Sequence, residues 1–247
     1  MAARGRGRDL WRAGADPHVR LVLFDVDGTL LWTDGAGRRA VHRALKEVLG
    51  IEHPAAGFRF DGRTDPEIVR LLAAAAGRDH GPEAVDRVLA HYVGLLDEEL
   101  ARPGHKTTVY PGVFALIEGL ERRRDCVIGL LTGNIVEGAR RKLGSGGLDI
   151  RRFRVGAYGS DHAERAELPA IAQRRAREEL GVAATGKEVV IVGDTPADVT
   201  CGRGIGARAI GVATGSYTVE RLLEAGADAA FADLSDTGAV VGAVFAP

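Results

Sequence analysis

Asp25 and Asp27 stand one residue apart, directly behind a short apolar run and directly ahead of Gly28. A carboxylate can attack phosphorus as a nucleophile while a second carboxyl beside it handles protons. Side chains alternate along an extended strand, but a turn at Gly28 lets both acids face one site. The gain from such a covalent route is large, because enzymes accelerate phosphate-monoester hydrolysis by up to ~10²¹. Two further segments carry matching chemistry: Thr132-Gly133-Asn134, and Gly193-Asp194-Thr195-Pro196-Ala197-Asp198. Carboxylates gathered from these segments repel one another unless a cation sits among them. Oxygen-only ligands suit Mg²⁺, at about 2.0–2.1 Å. A hard cation, the Thr132 hydroxyl and the backbone amides around Gly133 and Asn134 together suit a phosphate dianion.

Each of these segments closes an apolar run. Arg20–Asp25, Cys126–Thr132, Phe153–Tyr158, Glu188–Gly193 and Ala207–Val212 read as strands buried on both faces. Helical patterns over 111–123, 134–143, 164–180 and 196–204 alternate with them. The last part, 218–247, reads as a helix, a short strand at Ala229–Ala232 and a closing helix. The alternation implies right-handed βαβ crossovers, hence an α/β fold with a doubly wound parallel sheet. Ligands bind such sheets at the carboxyl ends of the strands, where these acids stand.

Between the first two strands the pattern is helical throughout, over 35–49, 65–76 and 82–101. Asp65 followed by Pro66 reads as an N-cap and first helical position. A crossover needs about a dozen residues, and this stretch is far longer. The expected organisation is therefore a core at 18–34 and 108–247, with a small α-helical cap domain inserted at 35–107. Residues 1–17, arginine-bearing without an apolar stretch behind them, are expected to be a loose tail or an early start, and not a secretory signal.

Composition narrows the rest. The 247 residues are 45% hydrophobic and 27% charged, as a packed globular chain requires. A formal net charge of −1 argues against a bulk grip on nucleic acid. No apolar run approaches the roughly 20 residues that span a bilayer. Cys126 and Cys201 fit no metal spacing or disulfide framework, so a cytoplasmic setting is expected.

Asp-Val-Asp-Gly-Thr-Leu (25–30), Leu-Thr-Gly-Asn (131–134) and Gly-Asp-Thr-Pro-Ala-Asp (193–198) resemble motifs I, II and IV of the haloacid dehalogenase superfamily. The helical insert resembles that superfamily's C1 cap. The resemblance runs over residues 18–235 and implies a Mg²⁺-dependent phosphatase of phosphoglycolate-phosphatase-like type, acting on a small phosphate ester. It implies Asp25 as nucleophile and Asp27 as general acid/base. Asp25, the backbone carbonyl of Asp27 and Asp194 would hold Mg²⁺, with Asp198 supporting the metal or its waters. Thr132 would bond a phosphate oxygen. Phe60-Asp-Gly-Arg63-Thr64-Asp65 resembles the family's cap loop, which makes Arg63 and Thr64 candidate specificity residues. Trp32 and Thr33 fall where the hinge to the cap belongs.

Motif III departs from the pattern, because the family's lysine after the third core strand is missing. Lys187 precedes a strand and so lies at the wrong end of the sheet, roughly 20 Å away at the usual rise per residue. Lys142, ten residues past Thr132, is expected to lie beyond reach. Arg165 opens the helix after the third strand and can bridge carboxylate and phosphate while always charged. Plainer readings stand beside these: Arg165 as a solvated helix residue, Asp198 as a helix-start carboxylate, and Arg63 as part of a helix start. His162 reads as a surface residue. Gly202-Arg-Gly204-Ile-Gly206 lies after a helix and before a strand, the reverse of a dinucleotide site.

Four rivals compete with hydrolysis. Asp27 argues against a dehalogenase, which needs no second acid. A phosphonate hydrolase wants a cap lysine, which neither Lys46 nor Lys106 supplies. A sugar-phosphate mutase would keep every core motif. A regulatory protein phosphorylated on Asp25 would lack the insert. Substrate identity and oligomeric state are not readable in the sequence.

Overall fold

The computed structural model describes residues 19–52, 57–77 and 81–247. The tail expected at 1–17 lies outside them. In chain order the elements are β1 (Arg20–Phe24), β2 (Leu31–Trp32), α1 (Ala36–Leu49), α2 (Asp65–Ala75), α3 (Pro82–Leu100) and β3 (Thr108–Val109). They continue as α4 (Val113–Glu121), β4 (Cys126–Thr132), α5 (Val136–Ser145), β5 (Val155–Tyr158), α6 (Leu168–Leu180) and β6 (Val189–Gly193). The chain ends with α7 (Pro196–Cys201), β7 (Arg208–Val212), α8 (Val219–Glu224), β8 (Ala229–Phe231) and α9 (Thr237–Val244).

Leu21, Val22, Leu23 and Phe24 are completely buried because β1 is covered on both faces. Val22 and Phe24 join the apolar layer of α4 and α9, with Leu116, Ile117, Leu120, Val240 and Val244. Leu21 and Leu23 join the opposite layer, where α6 supplies Leu168, Ala172 and Ala176. This is strand alternation read directly in the packing. The six-stranded sheet has the order β5-β4-β1-β6-β7-β8, and every pair is parallel.

The chain leaves β1 for β4 and β5 on one side, then returns to β6 on the other. β1 therefore sits at the switch point, where such sheets open a crevice. Register sharpens this: Phe24 lies opposite Leu130 of β4 and Val192 of β6. The residues that follow, Asp25, Thr132 and Asp194, accordingly gather at one edge.

Helices α1, α2 and α3 have an apolar core of their own, built from residues such as Val41, Leu45, Val69, Leu72, Val88 and Leu96. Ile135 is the buried member contributed from outside the three helices and their flanks. Glu99 of α3 accepts from Arg39 Nε at 2.7 Å and Arg43 Nη1 at 3.2 Å, which ties α3 to α1. The chain enters and leaves this helical layer through an antiparallel ribbon, β2 with β3, that the sequence reading did not contain. Trp32 is in that ribbon, opposite Thr108, and Thr33 follows it.

The helix expected to start with Asp65 as N-cap is capped instead by Thr64. Its hydroxyl accepts from Glu67 N at 3.3 Å, and Asp65 is the first helical residue. Asp65 is thereby free for a different contact, described below.

Candidate active site

The loop after β1 turns at Gly28, with φ +83°. Its N–H donates to Leu31 O at 3.0 Å, so the chain folds back at once. A side chain at Gly28, or at Gly215, would collide with the Asp194 carboxylate. These two glycines make the space in which Asp194 sits. Thr29 Oγ1 donates to Asp194 Oδ1 at 3.0 Å.

Asp25, Asp194 and Asp198 are all buried, and each offers a carboxylate oxygen within 4.8 Å of the others. Three acids at that spacing out of water are unfavourable in ionised form. Burial, with repulsion from Asp198 and Asp27 added and Arg165 opposing, pushes the Asp25 carboxyl up to about 6. Asp194 is raised too, by burial and then by Asp198 and Asp25.

Each acid is relieved differently. Arg165 Nη2 lies 3.0 Å from Asp25 Oδ1 and also pairs with Asp198. Asp198 Oδ2 further accepts from Thr195 N at 3.0 Å and Thr195 Oγ1 at 2.7 Å, closing a capping box on α7. Asp194 pairs with no lysine or arginine among the described residues. A cation fits there on two grounds: an all-oxygen donor set, and a buried carboxylate without a positive partner.

Arg165, expected on a helix after the third core strand, opens a short 3₁₀ turn just ahead of α6, and it is buried, not solvated. All of its ion pairs run through Nη2, so it does not grip Asp25 as a two-pronged fork. Nη1 is turned toward Gly133, where an added Cβ would come within 3.1 Å of it.

Thr132 Oγ1 accepts from Asn134 Nδ2 at 2.8 Å and from Asn134 N at 3.3 Å, which leaves its own proton to donate. The Asn134 side chain is occupied: Nδ2 also donates to Asp27 Oδ2 at 2.7 Å, and Oδ1 accepts from Lys142. The Asp27 carboxylate belongs to this second cluster, apart from that of Asp25, Asp194 and Asp198.

The expectation that Lys142 lies out of reach is overturned. Its Nζ is 2.7 Å from Asp27 Oδ2 and 2.6 Å from Asn134 Oδ1. Helical side chains lean toward the N-terminus, and the four-carbon stem runs back along α5 toward the strand ends. Burial opposes its charge, but Asp27, Tyr92 and Asp65 outweigh that and hold the ammonium protonated. Lys142 is thus the positive partner of the Asp27 carboxylate, as Arg165 is of Asp25. Lys187 pairs with Asp228, away from the site.

The helical layer is docked on this edge. Asp65 N donates to Gly133 O at 2.7 Å, and the Asp65 carboxylate accepts from Ile135 N at 2.8 Å. Thr64 is a correction. Its hydroxyl donates to Ala163 O at 2.5 Å and caps α2, and it does not line the cavity, so its proton is committed away from any substrate. Arg63 does line the half-open cavity of about 330 Å³ over these residues, with its guanidinium paired to Glu67. Arg38 and Phe60 line it as well, the Arg38 guanidinium stacked 4.1 Å from the Phe60 ring centre.

Burial pushes the Asp65 carboxyl up to about 6, although Lys142 and the Ile135 N–H oppose it. Between pH ~4 and ~6 the folded protein then keeps a proton that the unfolded chain has lost, so this contribution to stability falls as pH rises. Asp65→Asn removes that loss and keeps the acceptor for Ile135. Urea unfolding should show the variant gaining on wild type by roughly 3 kcal/mol between pH 4 and 7. A constant difference across that range would contradict the assignment.

A family model described as haloacid dehalogenase-like hydrolase matches residues 19–206. The chain belongs to the haloacid dehalogenase-like hydrolases. Solved structures agree with that fold. The fold is shared with a hydrolase from Pseudomonas syringae, 21% identical, covering 90% of this chain and 97% of that one at a TM-score of 0.67. CbbY from Rhodobacter sphaeroides, solved with phosphate, is 22% identical over 89% of this chain and 96% of its own, at 0.67. A predicted phosphoglycolate phosphatase from Haemophilus somnus 129PT is 18% identical over 91% and 98%, at 0.66. No match was found among curated proteins. This haloacid dehalogenase-like hydrolase has, among its described residues, no helix long and apolar enough to cross a membrane.

Proposed function

We propose that the protein hydrolyses a small phosphomonoester through an aspartyl-phosphate on Asp25, with Mg²⁺ as its metal. The observation that carries this reading is the pairing of Asp25 with buried Arg165, beside a buried Asp194 that forms no ion pair with a lysine or arginine among the described residues. A divalent ion held by Asp25, Asp194 and the Asp27 carbonyl would supply charge neutralisation and polarise the phosphoryl oxygens.

The chain's own residues do the rest. An Asp25 oxygen forms a bond to phosphorus as the ester P–O bond breaks, and the electron pair leaves on the ester oxygen. Asp27 gives that oxygen a proton. Water then attacks phosphorus, Asp27 takes a proton from it, and the P–O bond to Asp25 breaks with its electron pair returning to the carboxylate. Thr132 Oγ1, the Gly133 amide and Arg165 Nη1 are the donors assigned to phosphoryl oxygens, while the Asn134 amide braces the Thr132 hydroxyl. Asp198 keeps Arg165 in place. Residues 35–107 serve as a cap over core segments 18–34 and 108–247, opening for substrate and excluding bulk water when docked. Arg63 and Arg38 face the substrate's non-phosphate end. Buried, unpaired Cys126 and Cys201 suit a reducing cytoplasm.

The test is a panel of phosphorylated metabolites with Mg²⁺, scored for released phosphate. Catalytic release supports hydrolysis. Isomerised sugar phosphate without release would mean a mutase, and a single stoichiometric burst would mean a phospho-acceptor.

Arg165→Ala is expected to cut kcat/KM by ~10²–10³, the usual cost of one preorganised donor. Arg165→Lys should recover part of the loss, since charge survives and planar geometry does not. Steady-state kinetics check both, and unchanged rates for Arg165→Ala would remove it from the phosphate site.

A further inference from the structure

Lys142 and Asn134 both donate to the same oxygen of Asp27, Oδ2, each at 2.7 Å. Among the described residues Oδ1 accepts no hydrogen bond. A carboxyl whose one oxygen is held by two N–H donors has the other for its exchangeable proton. Asn134 is itself fixed, by Thr132 Oγ1 at 2.8 Å and Lys142 Nζ at 2.6 Å, so the carboxyl plane is set from two directions.

The helical layer closes around the ammonium. A Cβ at Gly37 of α1 would stand 3.0 Å from Nζ, so that glycine leaves the lysine its room. Tyr92 of α3 is fully buried beside it, and its hydroxyl has no partner among the described residues. Lys142 lies against the acid that handles protons and makes no contact with Asp25, the reverse of Arg165.

We infer that Lys142, by holding Asp27 Oδ2 together with Asn134, is a positioning residue that directs proton transfer through Oδ1. The inference rests on the phosphatase reading and gives the two buried cations separate tasks. Arg165 serves the nucleophile and the phosphate, and Lys142 serves the proton.

Its signature is a dependence on the leaving group. p-Nitrophenyl phosphate expels a stabilised anion that needs little protonation, whereas phenyl phosphate expels a phenol with a tyrosine-like pKa of about 10. The value of kcat/KM reports the step in which that group departs. Lys142→Met should lower kcat/KM for phenyl phosphate at least ~10-fold more than for p-nitrophenyl phosphate. Gly37→Ala, which crowds Nζ while leaving the lysine in place, should shift the same ratio less and decides the matter if Lys142→Met fails to fold. Equal losses on both esters, or a wild-type ratio in both variants, would overturn the inference alone. Wild-type protein that turned over neither ester would remove the phosphatase reading and this inference with it.

Discussion

Asp25→Asn is expected to reduce phosphate-ester turnover to below about 1% of wild type while the protein stays folded. An amide oxygen cannot attack phosphorus, yet it can still accept from Arg165 Nη2, now 3.0 Å away. Stability should hold or rise, because the ionised carboxylate is disfavoured by burial and by Asp198 and Asp27. Thermal unfolding and turnover, measured on the same preparation, separate the two effects. Residual activity well above that level would move the nucleophile elsewhere.

Metal removal is expected to be as severe. EDTA should abolish turnover and Mg²⁺ should restore it, because Asp194 has no cationic partner among the described residues and is raised well above the ordinary carboxylate range. The same deficit predicts a readout independent of activity. Saturating Mg²⁺, at a hundred times its dissociation constant, should stabilise the fold by ~2.7 kcal/mol. Asp194→Asn should lose most of that gain. Full turnover in chelator, with no Mg²⁺-dependent shift in Tm, would mean that the acids gathered here serve another purpose.

The core was legible because β1, β4 and β6 are buried on both faces and end in residues that apolar strands cannot otherwise contain. Asp25, Thr132 and Asp194 announce themselves by breaking a run, and parallel register brings them to one edge. Arg165 is legible as the cation standing where a lysine is missing, and it lies against Asp25.

Other features left weaker traces. Distance counted along the chain placed Lys142 out of range, whereas the backward lean of helical side chains and the space left by Gly37 bring Nζ to Asp27. The signal available was its position about two turns beyond Asn134, on the face of α5 that meets α1 and α3. Thr64 and Asp65 were displaced by one position at a helix start, and that shift exchanged their roles. Thr64 became the cap, and the Asp65 carboxylate became the tie to Ile135. The β2–β3 ribbon left no trace, because two-residue strands have no periodicity to read.

The most direct test of the central claim is to identify the residue that carries phosphate during turnover. Enzyme mixed with substrate and Mg²⁺, quenched in acid and reduced with borohydride, converts an acyl phosphate to homoserine that mass spectrometry can place in the sequence. The expected result is homoserine at position 25, dependent on both substrate and metal. Homoserine at another aspartate, or none while the enzyme is turning over, would contradict a phospho-aspartate on Asp25.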